Sequence, residues 1–153
     1  MSVLDILIGT FIFLPIINLI HELGHVSSAK FFGAEIEQIV IVTGKTIFKK
    51  GCIEIRKIYF LNGYFISSKL GNGRTSKTIT CLGGIILNTI SCVIVYILCY
   101  INIIDKSVAN VFIVYSLFCI ITNLIPMQYR GYNSDGLQVY QIIKTGNSSF
   151  YKQ

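Results

Sequence analysis

Long apolar stretches, broken by short polar ones, dominate the chain. The first runs from Val3 to about Phe32 and carries no charge between Ile6 and Ile20. The second is Ile79–Ile104 and the third Val108–Met127, and neither contains Asp, Glu, Lys or Arg. Each is long enough to cross a hydrocarbon core as a helix, which takes about 20 residues. Only Asp105-Lys106-Ser107 separates the second from the third, so the spacing predicts an antiparallel pair. Residues 33–78 follow another pattern. Ile36–Val42 and Cys52–Phe60 mix β-branched, aromatic and charged positions with partial period-two alternation, and Gly44, Gly51, Gly63, Gly71 and Gly73 punctuate them. That predicts two to four short strands in a curved ribbon at the membrane surface. Beyond Asp135, the positions Leu137, Val139, Tyr140, Ile142 and Ile143 have helical spacing and predict an interfacial tail over 135–153. The expected fold is a single α-helical integral membrane domain, 1–153. It has three transmembrane helices (about 3–32, 79–104 and 108–127) and a small β-ribbon insertion between the first and second.

Composition supports the membrane class. Hydrophobic residues make up 53% of the chain and charged ones 13%, about half the charge of an average soluble domain. The net charge of +6 would suit a nucleic-acid binder if it were spread over a surface. It is not: no Lys or Arg precedes Lys30, and nine of the thirteen lie between Lys30 and Lys77. Such a cluster between apolar segments reads as a cytoplasmic loop, and no nucleic-acid partner is expected. Three crossings then put the N-terminus outside and the C-terminus in the cytoplasm, in agreement with Arg130, Lys144 and Lys152. The five cysteines (Cys52, Cys81, Cys92, Cys99, Cys119) form no CxxC pair and read as small buried hydrophobes. A cleavable signal peptide is not expected, because the first apolar stretch lacks a positive n-region.

The chemistry gathers in one pentad. Both histidines of the chain stand in His21-Glu22-Leu23-Gly24-His25. On a helix, positions i and i+4 share a face, so both imidazoles point one way. Two nitrogens at that spacing suit zinc, with the adjacent Glu placed to handle protons of an attacking water. The blander reading is a polar cluster that ties helices together. Lys30 marks the expected cytoplasmic boundary, and nine residues at 1.5 Å each put His21 about 13 Å inside it. Polar groups at that depth are expensive unless paired, coordinated or hydrated.

A catalytic zinc usually takes three protein ligands, and with no further histidine the third should be an acid. Asp5 and Asp105 fall at the outer face in the expected topology. Glu35, Glu37 and Glu54 lie in the β-region with no defined direction. Asp135, just past the third span on the cytoplasmic side, remains.

These pieces resemble the site-2 protease family of intramembrane zinc metalloproteases. The resemblance rests on the pentad with Ala29 and Gly33 downstream, on Gly84-x-x-x-Asn88 in the second span, and on Asn123-x-x-Pro126 followed by Asp135-Gly136. It covers nearly the whole chain, at the scale of a minimal three-span core. It implies one zinc ion held by His21, His25 and Asp135, with Glu22 as general base. It places Asn88 near the site, where it would support the substrate strand or the oxyanion, or else make a plain interhelical hydrogen bond. Gly84, Asn123, Pro126 and Gly136 are read as structural, Pro126 breaking the helix so that Asp135 can turn back. Two departures stand out. Ile85 replaces a common proline, and eight residues separate Pro126 from Asp135 where four are usual; Gly131 and Asn133 give that insert turn chemistry.

The activity implied is cleavage of a membrane-spanning or membrane-associated protein or peptide precursor. The alternatives are a non-proteolytic metal-binding adaptor or immunity module that binds a peptide, and a small transporter subunit. The partners expected are the peptide substrate and the lipid bilayer. Substrate identity and oligomeric state are not readable from the sequence.

Overall fold

The computed structural model describes residues 2–50, 53–68, 73–129 and 132–146; of 36–50, 53–68, 129 and 132 it describes the backbone alone. Cys52, Gly71, Arg130, Gly131 and Lys152 lie outside the described residues. The architecture is mostly helical, with three helices long and apolar enough to span a membrane: Val3–Phe31, Arg74–Tyr100 and Lys106–Leu124.

The first of these is not uniform. It comprises α1 (Val3–Ile8), a π-helical stretch at Gly9–Phe13, and α2 (Leu14–Phe31). Ser2 and Asp5 close a reciprocal capping box at its start. The widened stretch ends two residues before Pro15, whose ring and missing N–H deny the helix a regular i→i−4 bond at that point. Tyr115 fills the space beside it. Its hydroxyl donates to the Ile6 carbonyl at 3.2 Å and pairs with Thr10 Oγ1 at 3.0 Å, and a Cβ at Gly9 would strike its ring. Phe13 and Phe112 meet edge to face at 5.7 Å, next to a small core of Ile17, Phe112 and Cys119.

After α2 the backbone runs extended through β1 (Glu35–Lys50) and β2 (Ile53–Ser68), paired antiparallel with repeated register shifts. α3 (Arg74–Tyr100) then begins five residues before the apolar stretch that signalled it. Its 27 residues span about 40 Å, against a hydrocarbon core of about 30 Å. The polar first turns therefore extend the helix rather than belong to a loop. Lys77 donates from there to the Gly146 carbonyl at 3.3 Å. The turn between the second and third spans also falls earlier than expected. Asn102 is left-handed (φ 60°), and Asp105 caps α4 (Lys106–Leu124) by accepting from the Ser107 and Val108 amides. Lys106 and Ser107 thus belong to the helix, since an Asp at the cap satisfies amides that would otherwise lack acceptors.

A two-residue-strand hairpin, β3 (Gln128–Tyr129) and β4 (Tyr132–Asn133), leads into α5 (Asp135–Thr145), which ends on left-handed Gly146. α5 packs against α3 and α4, burying Ile142 while Tyr140 and Ile143 stay exposed. Cys81 and Cys119 are buried, Cys92 and Cys99 half-buried, and all four are free.

The tightest helix contact is between α2 and α3. A Cβ at Gly24 would run into the Gly83 carbonyl, and one at Gly83 would lie 2.5 Å from the Gly24 carbonyl oxygen and from Ser28 Oγ. Small residues permit this approach, which in lipid replaces the hydrophobic effect as the source of helix association. Gly24→Ala forces backbone apart from backbone. It should cost roughly 1–3 kcal/mol and lower the thermal midpoint of the detergent-solubilised protein, whereas lipid-facing Ile90→Ala should stay close to wild type.

Candidate metal centre

His21 and His25 sit one turn apart on α2, where the helical repeat puts both rings on the face toward α3. Gly84 of α3 lies directly under them: a Cβ there would be 2.6 Å from both His21 Cε1 and His25 Nε2. The rings stand nearly perpendicular, 84°, with centroids 4.6 Å apart and Nε2 atoms 3.0 Å apart. Asp135, the first residue of α5, completes the group. Its Oδ2 is 3.0 Å from His21 Nε2 and its Oδ1 3.4 Å from His25 Nε2. All three residues are buried. Among the described residues, this is the group whose ligand atoms lie within 4.8 Å of one another.

The donor set fits a cation. His25 Nδ1 lies 2.8 Å from the Thr80 carbonyl, which can only accept, so Nδ1 carries a hydrogen, and loss of any proton from Nε2 leaves the ring's lone pair there. That lone pair faces a second imidazole nitrogen and a carboxylate. Burial pushes the Asp135 carboxyl up, but His25 and His21 beside it hold it down at about 2. It is therefore an anionic ligand at neutral pH, and its place at the start of α5 favours that charge. Two imidazoles and one carboxylate converging on a point match a site that binds zinc and leaves a position open.

The route of Asp135 to this point explains the long insert. Residues 127 and 134 are clasped: the Ser134 amide donates to the Met127 carbonyl at 2.9 Å, and the Met127 amide donates to Ser134 Oγ at 3.0 Å. The residues between them include the paired strands β3 and β4, so the added length does not move the ends of the loop. Ser134 also caps α5, accepting from the Leu137 amide at 3.2 Å, and donates to the Ile125 carbonyl at 2.7 Å. Gly136 lets α5 start against α4, since a Cβ there would collide with the Leu124 carbonyl.

The other sequence candidates fall as follows. Glu22 is buried on α2, within electrostatic reach of His25, His21 and Asp135. Asn88 is fully buried with its side-chain nitrogen 3.4 Å from His21 Nδ1, behind the ring. Asn123 turns back on its own helix, donating to the Cys119 carbonyl at 2.9 Å. Pro126 follows an extended Ile125, as the residue before proline prefers, and α4 stops there. Ile85 lies within unbroken α3. Two contributors were missed, Thr80 and Ser134. Thr80 stands four residues before Gly84, on the same face, so helical periodicity could have found it. Ser134 directly precedes Asp135-Gly136, the position of an N-cap.

The fold and site define a multi-span membrane protein with a buried His-His-Asp cluster suited to a metal. The family model for peptidase family M50 matches residues 9–107, and the chain belongs to that family of membrane metalloproteases. It is 30% identical over 138 residues to the uncharacterized membrane protein YwmF of Bacillus subtilis (strain 168), covering 88% of this chain and 86% of that one. No solved structure matches it. Asp135 lies beyond the matched residues, and the fold brings it to the histidines.

Ser134→Ala removes the cap and one strand of the clasp together. It should cost about 1–2 kcal/mol, lowering the thermal midpoint and weakening zinc binding, measured by competition with a chromogenic chelator. Ser134→Thr should restore both.

Proposed function

We propose that the protein is a zinc-dependent endopeptidase that cuts a membrane-associated protein or peptide precursor within or beside the bilayer. The observation that carries this is the convergence of His21, His25 and Asp135 on one buried point, with Glu22 on the same turn of α2. These three residues would hold one zinc ion. When bound, zinc polarises a scissile carbonyl and makes water nucleophilic near neutral pH. Glu22 takes the proton from the attacking water and delivers it to the leaving amine. The helices around the site exclude bulk water and keep the charges strong.

A substrate in helical form hides its peptide bonds in its own hydrogen bonds, so it must reach the site extended. The insertion at 33–78, expected to form a ribbon at the membrane surface, would offer a sheet edge for that extended segment. By the positive-inside rule, the basic cluster between Lys30 and Lys77 favours a cytoplasmic position for this insertion, the pentad's near end and Asp135, with the N-terminus outside. A peptide-binding adaptor would have no use for a carboxylic acid at position 22.

The test pairs metal content with cleavage. Co-expressed with tagged single-span candidate substrates, wild type should yield fragments, and Glu22→Gln should retain zinc while losing cleavage by at least about a hundredfold. Asp135→Ala should lose both. A purified chain that held no zinc, or a Glu22→Gln form that cut like wild type, would refute the reading.

A further inference from the structure

Each imidazole of the pair has a rear nitrogen, and both rear nitrogens face α3. His25 Nδ1 meets the Thr80 carbonyl at 2.8 Å. His21 Nδ1 meets the side-chain amide of Asn88, two turns further along the same helix face, at 3.4 Å. Thr80, Gly84 and Asn88 thus form one stripe at i, i+4 and i+8, with Gly84 admitting the rings and the two flanking residues meeting their backs.

The Asn88 amide places its nitrogen toward His21 and leaves Oδ1 buried with no hydrogen-bond partner. In that orientation the amide donates to Nδ1, which puts the ring hydrogen on Nε2, between His25 and Asp135. His21 would then have no lone pair to offer. A half-turn of the amide, a soft torsion in asparagine, sets Oδ1 opposite Nδ1. The orphaned oxygen then gains a donor, and Nε2 becomes a ligand. Nitrogen and oxygen of an amide are nearly the same size, so the half-turn needs no repacking.

We propose that Asn88 is the positioning residue for His21: its side-chain oxygen accepts the Nδ1–H and holds Nε2 free for the metal, as the Thr80 carbonyl does for His25. The role rests on the metal-site reading above. It differs from contact with substrate or an oxyanion, for which a fully buried side chain behind the ring is badly placed.

Because the chain contains only two histidines, nitrogen-15 NMR of histidine-labelled, metal-free protein at alkaline pH reads both tautomers directly. Wild type should show both rings with the hydrogen on Nδ1; a His21 ring carrying it on Nε2 overturns the proposal without any variant. Asn88→Ala should shift His21 toward a tautomer mixture, leave His25 unchanged, and weaken zinc binding about ten- to a hundredfold. Asn88→Asp, which keeps an acceptor, should restore the Nδ1–H form of His21 and bind zinc within about threefold of wild type. An unaltered His21 in Asn88→Ala, or an Asn88→Asp form as weak as Asn88→Ala, counts against it. The tautomer is read without metal or cleavage, so it stands or falls separately from protease activity.

Discussion

The site depends on how closely α2 can approach α3. Lipid supplies no hydrophobic force between helices, so their association must come from packing and hydrogen bonds. Gly24 against Gly83 brings backbone onto backbone, and Gly84 provides the floor on which the imidazoles rest. Any side chain at Gly84 would occupy the volume of the rings. The same contact that holds the membrane domain together therefore sets the position of two candidate metal ligands. Stability and chemistry meet on one helix face.

That face also meets the cost of burying polar groups. His21, Glu22, His25, Asn88 and Asp135 are all buried, and unpaired polar groups are expensive in such surroundings. Thr80 and Asn88 meet the rear nitrogens, leaving the opposed front atoms of two rings and a carboxylate. Without a cation, a hydrogen shared among these atoms has to offset their burial. The polar core of this small domain has the donor set of a metal centre.

What the sequence made legible follows from the reach of its periodicities. The three spans and the pentad are local patterns, readable from one stretch at a time. Helix ends were less so: Arg74–Lys77 looked like loop because they are polar, yet α3 exceeds the bilayer thickness and needs polar turns where it emerges. The capping role of Asp105 similarly moved the turn between α3 and α4. Asp135 was reachable by excluding other acids or through the family resemblance, and not from local pattern, because its partners stand more than a hundred positions away. Asn88 was flagged, but its relation to His21 Nδ1 depends on the rotation of two helices about their axes, which composition and spacing do not specify.

The insert before Asp135 shows why motif spacing is a weaker constraint than motif geometry. A metal ligand needs its carboxylate at a fixed point, and here two local contacts supply that point. The Met127–Ser134 clasp equalises the ends of the loop, and the meeting of Gly136 with the Leu124 carbonyl seats the start of α5. Neither contact depends on how many residues lie between Met127 and Ser134. Closing a somewhat longer loop adds little entropy cost, since that cost grows only logarithmically with length. Variation in length at this point is therefore compatible with an unchanged ligand set, provided that the serine, the aspartate and the glycine stay contiguous. The doubled distance from Pro126 to Asp135 lengthens the loop and leaves the position of the Asp135 carboxylate alone.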